Sequence, residues 1–150
     1  MDTNQSRKVN AMKQSLFDKG FLNDQFSQLE QLQDDANPDF VEKIVTLYFR
    51  ESLGNISNLE QILKENPLDF NKMERIMYGL NGSSSSIGAK KVTAEIVVFR
   101  EYCRAGNAKG CKMSFQQLKK EHETLKKKLE AYFQLARRQA GPLETSSRPK

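Results

Sequence analysis

Apolar side chains recur along this chain at intervals of three and four residues, which places them on one face of an α-helix. Signals at segment ends agree: Gly20 can close the first helix, Asn23 and Asp69 can cap the second and fourth, and Asn37-Pro38 can open the third. No segment alternates apolar and polar residues as a strand would. The pattern predicts helices over about 5–19, 24–32, 38–65, 70–86, 89–104 and 109–138.

The four longer, later helices are joined by short connections, which is typical of an up-down bundle. We therefore predict an all-α fold, a four-helix bundle with two additional N-terminal helices that cover one end. A chain of 150 residues is long enough for one such domain. Gly141-Pro142 should stop the last helix. The predicted domain is 1–141, and the polar segment 142–150 is predicted to be a disordered tail.

The net charge of +5 is unevenly distributed. Residues 107–150 hold 11 Lys and Arg against 4 Asp and Glu, a balance of +7, which leaves −2 for the rest. The basic residues of the last helix alternate with Glu121, Glu123 and Glu130, as on a solvated helix face, and no nucleic-acid motif accompanies them. We expect no nucleic-acid partner. Neither a membrane span nor a secretory leader is evident, which favours an intracellular protein.

Two cysteines, Cys103 and Cys111, have neither the number nor the spacing of a zinc site or a disulfide framework. We expect both to be reduced and partly buried. A regulatory disulfide between them is the less favoured alternative. The sequence thus predicts no metal and no cofactor.

The most informative segment runs from Tyr78 to Ala89 and includes four consecutive serines, 83–86. A serine run is often a linker. Here, however, apolar residues at helical spacing lie on both sides of it. The segment is therefore interpreted as a helix that packs small residues closely. The flanking apolar residues are Met73, Ile76, Met77 and Leu80 before the run, and Ile87, Val92, Ile96 and Val97 after it.

This segment resembles the active-site helix of plant histidine-containing phosphotransfer proteins, and the resemblance extends from about residue 12 to 139. Gly82 to Ala89 keep the family pattern, but Tyr78 stands where the phosphoacceptor histidine is usual and Asn81 where a lysine is usual. Gly79 replaces a residue that is commonly glutamine. The resemblance implies a pseudo-phosphotransfer protein, a monomer of the cytoplasm and nucleus. It would dampen cytokinin signalling by docking on receiver domains of hybrid histidine kinases and response regulators.

The two substitutions remove the chemistry that phosphoryl relay needs. A neutral imidazole nitrogen is a good nucleophile near pH 7, whereas a tyrosine phenol, with an ordinary pKa of about 10, is protonated there. A phosphotyrosine would be a stable ester and a dead end. Asn81 can donate a hydrogen bond but brings no positive charge beside the acceptor position. We therefore expect no enzymatic activity and no catalytic residue.

Docking is expected to survive because Gly82, one helical turn beyond Tyr78, lets another protein approach the backbone closely. Lys90 and Lys91 could attract an acidic partner. On the second helix, Phe26 and Leu29 are candidates either for exposed anchors or for core packing. The predicted receiver-docking residues are Tyr78, Gly79, Asn81, Gly82, Ser85, Lys90, Lys91, Phe26 and Leu29.

Two alternatives remain open. His122, the only histidine, lies in a highly charged stretch and is expected at the surface. A residual phosphocarrier would have to use it, Tyr78 or a serine. Alternatively, the chain is an adaptor that binds a further partner through Lys126, Lys127 and Lys128 on its basic last helix.

Overall fold

The computed structural model describes the backbone of residues 3–147 and the side chains of Asn4 and residues 6–138. Every regular element in the described part is a helix, so the predicted all-α fold is confirmed. Asn23 and Asp69 cap α2 and α4 as predicted, because their side chains accept hydrogen bonds from Gln25 N and Lys72 N. The helices are α1 (Thr3–Asp18), α2 (Asp24–Gln31), α3 (Phe40–Ile62), α4 (Phe70–Ser86), α5 (Lys90–Arg104) and α6 (Ala108–Ser147).

Helices α3 to α6 form the bundle. Helix α4 packs between α3 and α5, and α5 packs against α6. The two N-terminal helices add to this bundle at different places: α1 lies against α6, and α2 touches α3 and α4. The rings of Phe17 and Phe26 join α1 to α2, edge to face, with centroids 6.2 Å apart. One continuous apolar core lies between the helices, and burying it provides most of their stability.

Helix α3 begins at Phe40, so the predicted start at Asn37-Pro38 is wrong. The reason is local hydrogen bonding. The Asp34 carboxylate accepts from the backbone N–H groups of Ala36 and Asn37, which folds 34–37 into a turn. The amide oxygen of Gln33 accepts from Val41 N and satisfies one donor in the first turn of α3.

Helix α6 continues to Ser147, past Gly141-Pro142, although the sequence predicts its end near Arg138. It overlaps the predicted disordered tail as far as Ser147, and residues 148–150 lie outside the described residues. The division of the chain at residue 141 stays a prediction. None of the described helices is both long and apolar enough to cross a membrane.

The end of α4 is fixed to the α1–α2 connection at Gly88. Asn23 N donates to Gly88 O at 3.0 Å, and Lys90 N donates to Phe21 O at 3.1 Å. Gly88 has a φ of +77°, and a Cβ there would lie 2.6 Å from Phe26 N. Both the backbone angle and the close approach require glycine. This joint sets where α4 ends and α5 begins.

Candidate functional site

Tyr78 is the most prominent side chain on the outer face of α4. It is 71% exposed, the highest value among the large apolar and aromatic residues described. Gly79 and Gly82 are also exposed, and a Cβ at either position would have no neighbour within 4 Å. Ser85 is exposed seven residues beyond Tyr78, on the same side of the helix. Tyr78, Gly82 and Ser85 therefore form an open ridge along which the α4 backbone is accessible.

The four serines complete α4, so they are not a linker. Ser84 points inward and is fully buried, with its Oγ 2.7 Å from the hydroxyl of Tyr48 on α3. Ser83 and Ser86 donate to the carbonyl groups of Leu80 and Ser83 within the helix. One small residue in the run thus lets α3 approach α4, while its neighbours satisfy their own hydroxyl groups locally.

A cluster of charges lies beside Tyr78. The Arg100 guanidinium on α5 is 5.7 Å from the centre of the Tyr78 ring, and its Nε donates to Glu74 at 2.7 Å. Glu74 lies one turn before Tyr78 on α4. Its second carboxylate oxygen accepts from Arg104 Nε at 3.1 Å. The Glu74 carboxylate therefore joins two guanidinium groups of α5 to α4, and one of them flanks the Tyr78 ring.

The other predicted docking residues are dispersed. Asn81 is half-buried on α4, and Lys90 is exposed at the first residue of α5. Lys91 is half-buried, with its Nζ 4.0 Å from the centre of the Phe21 ring, so it packs on the α1–α2 connection. The structure brings Tyr78, Gly79, Gly82 and Ser85 onto one exposed face, and it turns Lys91 away to another contact.

Phe26 is fully buried, so of the two roles considered for it, core packing is correct and an exposed anchor is wrong. It packs against Phe17, and its backbone lies against Gly88, because α2 is held onto the end of α4. Leu29 is half-buried and packs against the core. The large apolar side chains exposed on α4 and α5 are instead Tyr78, Val97 and Val98.

His122 is buried, at 2% exposure, so its predicted surface position is also wrong. Its Nε2 lies 2.6 Å from Ser52 Oγ, and its ring packs edge-on against Phe49. Burial, together with the charge of Lys126, lowers the pKa of His122 to about 4. The imidazole is therefore neutral at pH 7 and is out of reach of a partner protein.

The sequence carries signals for two features of the structure beyond those predicted from it. His122 falls in the buried series Phe115, Leu118, Leu125 and Leu129, at spacings of three and four residues. Arg100 and Arg104 are one turn apart on α5, as Glu74 and Tyr78 are on α4. Two basic residues one turn apart on one helix, with an acidic residue on the neighbouring helix, are a signal for cross-helix ion pairs.

Cys103 and Cys111 are buried free thiols, with their Sγ atoms 3.7 Å apart across the α5–α6 connection. Burial, with the neighbouring Cys111 sulfur, raises the pKa of Cys103 to about 12, and burial also raises the pKa of Cys111. Both sulfurs are therefore protonated at neutral pH, the form in which a thiol is a poor nucleophile.

Comparison with known proteins gives consistent matches. The Hpt domain profile matches residues 43–128. Histidine-containing phosphotransfer protein 4 of Arabidopsis thaliana is 59% identical over 116 residues, which cover 77% of this chain and 91% of that protein. Pseudo histidine-containing phosphotransfer protein 5 of Oryza sativa subsp. japonica is 48% identical over 146 residues, 97% of this chain and 95% of that protein.

Solved structures agree with these sequence matches. The crystal structure of a histidine-containing phosphotransfer protein from Medicago truncatula superposes with a TM-score of 0.87 at 36% identity, and covers 99% of this chain and 98% of that one. The corresponding maize protein superposes with a TM-score of 0.85 at 34% identity, over 89% of this chain and 98% of that one. The relatives thus share the fold and include proteins named with and without the prefix pseudo.

Proposed function

The chain belongs to the plant histidine-containing phosphotransfer family, and on that premise we propose that it is a pseudo form, which docks on receiver domains without carrying phosphate. It is an Hpt-domain protein of the two-component phosphorelay, and Hpt domains generally interact with receiver domains. The proposal concerns what happens after docking. The chain would occupy the receiver surface that an active relay protein needs, and so lower phosphoryl flux in cytokinin signalling, in the cytoplasm and nucleus.

The observation that carries this proposal is the exposed Tyr78 on the open ridge of α4. A phenol there cannot act as the reversible phosphoryl carrier that an imidazole provides. The open backbone at Gly79 and Gly82 supports close approach by another protein. Binding without transfer requires both properties together.

The burial of His122 argues against a residual phosphocarrier. It is the only imidazole in the chain, and it is enclosed between α3 and α6 with its Nε2 bonded to Ser52. An aspartyl phosphate on a partner could reach it only if the bundle opened. We therefore propose that the chain has no relay activity and no enzymatic activity, and that it needs no cofactor.

A reconstituted relay tests the proposal: a labelled phospho-receiver, an active phosphotransfer protein, a terminal response regulator, and this chain in increasing amounts. We expect label to bypass this chain and flux to the terminal regulator to fall with dose, by mass action. Label that appears on this chain and moves onward would refute the proposal. Unchanged flux, with no binding to any receiver, would also refute it.

Two glycine substitutions locate the docking face. Gly82→Gln places a side chain on the α4 ridge, and Gly54→Gln places the same side chain on α3. Neither Cβ would meet any atom within 4 Å, and both positions lie inside a helix, where glutamine is the better helix former. We expect Gly82→Gln to abolish inhibition and Gly54→Gln to retain it. Inhibition that is lost instead on changing Lys126, Lys127 and Lys128 to glutamine would support the adaptor alternative.

A further inference from the structure

Arg100 and Arg104 bind the same carboxylate in the same way; the side chain of Arg104 is exposed, and that of Arg100 is half-buried beside the Tyr78 ring. Each donates its Nε to one oxygen of Glu74. Among the described residues, no hydrogen bond uses the terminal Nη groups of either arginine. A guanidinium has five N–H donors, and its planar fork matches two oxygens of a phosphate. Glu74 thus fixes the positions of two guanidinium groups through their Nε atoms and forms no hydrogen bond with their terminal Nη groups.

The charge balance around Tyr78 favours an anion. Two guanidinium groups against one carboxylate leave a net charge of +1 in the Glu74 cluster. Over residues 70–104, six basic residues oppose three acidic ones, a balance of +3. Arg75, exposed on α4 three residues before Tyr78, has no ion pair among the described residues. The Glu74 cluster and Arg75 together therefore carry a net charge of +2 close to the exposed Tyr78, although Asn81 brings no charge.

We propose that Arg100 and Arg104 bind the phosphoryl group of a phosphorylated receiver, so that this chain docks on the phosphorylated form in preference to the unphosphorylated one. This inference rests on the proposed docking function and specifies the state of the partner. An aspartyl phosphate presents several oxygens and additional negative charge, and guanidinium groups recognise both. No bond is made or broken. The phosphoryl group stays on the aspartate because the phenol of Tyr78 does not take it up.

This preference would explain how a protein without a nucleophile can compete efficiently. An active relay protein has to find the same phosphorylated receivers. A competitor that bound every receiver equally would be bound mostly by unphosphorylated receivers, which are not about to transfer a phosphoryl group. One that favours the phosphorylated form occupies the molecules that are about to transfer, and it retains them because it cannot complete the reaction.

The test compares the affinity of this chain for one receiver in two states, without addition and after activation with beryllofluoride, which mimics the aspartyl phosphate. We expect binding to the activated receiver to be about tenfold tighter, as for one or two charge-assisted hydrogen bonds. Arg100→Gln and Arg104→Gln should each reduce this ratio several-fold, and the double variant should bring it close to one. Affinity for the unactivated receiver should change by no more than about twofold.

Arg50→Gln is the matched control, because Arg50 is an exposed arginine on α3 without an ion pair among the described residues. It should leave the ratio unchanged. Arg104→Gln keeps the Arg100–Glu74 pair, so it tests the site even if loss of Arg100 loosens α5. Inorganic phosphate at millimolar concentration should not displace the activated receiver, since the phosphoryl group on the receiver is held by the whole interface.

The outcomes separate this inference from the proposed function. If the chain binds both receiver states equally, docking stands and phosphoryl recognition is wrong. If the double arginine variant keeps the full ratio, the preference arises from the receiver's conformation, and the role assigned to these arginines is wrong. If the chain binds neither state, the proposed function itself fails.

Discussion

Gly88 shows how a single residue can fix the geometry around the site. Its φ of +77° lies in a region that side chains with a Cβ avoid, and the added Cβ would meet the backbone of Phe26 at 2.6 Å. Backbone cannot move aside as a flexible side chain can. The position of α2 beneath the end of α4 therefore depends on the absence of one methyl group.

We predict that Gly88→Ala lowers the free energy of unfolding by about 2 kcal/mol or more, because strain and steric overlap add. Gly54→Ala on the exposed face of α3 should instead raise it by about 0.5 to 1 kcal/mol, since no atom lies near that Cβ and alanine is the better helix former. Urea denaturation of the two variants measures both effects. Equal changes would mean that the Gly88 joint is more adaptable than its contacts indicate.

His122 makes stability depend on pH. Its pKa is about 4 in the folded chain and about 6.5 when unfolded, so between these values the unfolded state binds the additional proton. The stabilisation is therefore complete above about pH 6.5 and is lost as the pH falls toward 4. At pH 4.5 we expect the native chain to have lost about 2 kcal/mol from this group.

The variant His122→Gln isolates that contribution. It removes the titrating group and keeps a polar side chain near Ser52. The carboxylates that titrate at low pH are common to both proteins and cancel in the difference. Unfolding free energies measured at pH 7 and 4.5 should therefore fall less steeply for the variant. Parallel pH profiles would show that His122 is accessible to protons in the folded state.

At the scale of helices, α3 and α4 are joined by a buried polar contact between Tyr48 and Ser84. The hydroxyl groups are 2.7 Å apart in the core, and burial raises the pKa of Tyr48 to about 12. A buried hydroxyl that loses its partner costs roughly 1 to 3 kcal/mol, whereas replacing both partners by apolar groups costs less. The contact thus helps to fix the position of α4 relative to α3.

A double-mutant cycle on Tyr48→Phe and Ser84→Ala tests this contact. We expect each single change to destabilise the chain by about 1 kcal/mol or more. The double variant should cost less than the sum, with a coupling energy of about 0.5 kcal/mol or more. Thermal or urea unfolding provides the four values. Strict additivity would mean that packing of small side chains, and not this hydrogen bond, positions α4.

The helices could be predicted because their apolar spacing is regular. The residues at which they begin and end were harder to predict. Asn23 and Asp69 act on residues two or three positions ahead, and the sequence shows such local caps directly. Gln33 instead reaches Val41, eight residues along, and depends on how the intervening turn folds.

The burial of individual side chains was harder to predict than the helices. The residues next to His122 in the sequence are charged, but they lie on other faces of α6, so they do not indicate that His122 itself is buried. Phe26 is buried only because α2 docks against Gly88.

At the scale of the whole molecule, the proposed pseudo form would keep a docking face whose reactive groups have been replaced. Tyr78 is 71% exposed, and the Arg100 guanidinium lies 5.7 Å from the centre of its ring. A change at Tyr78 should therefore leave the core intact. Asn81 is half-buried on the same helix, so replacing it with lysine should change the charge beside the α4 ridge more than it changes the packing of the core. In the proposed pseudo form the fold and the missing chemistry would thus be separable, and the loss of relay activity would be reversible.

We predict that the double substitution Tyr78→His and Asn81→Lys converts the chain into a phosphoacceptor. The imidazole would be exposed at the centre of the docking face, and the lysine would neutralise developing charge on the phosphoryl oxygens. Incubation with labelled phospho-receiver should give acid-labile label on the double variant, less on Tyr78→His alone, and none on Asn81→Lys alone. A double variant that still binds receivers but takes no label would show that the ridge no longer aligns an acceptor with the phosphoryl group. The pseudo form would then differ from an active relay protein in the geometry of its complex as well as in two side chains.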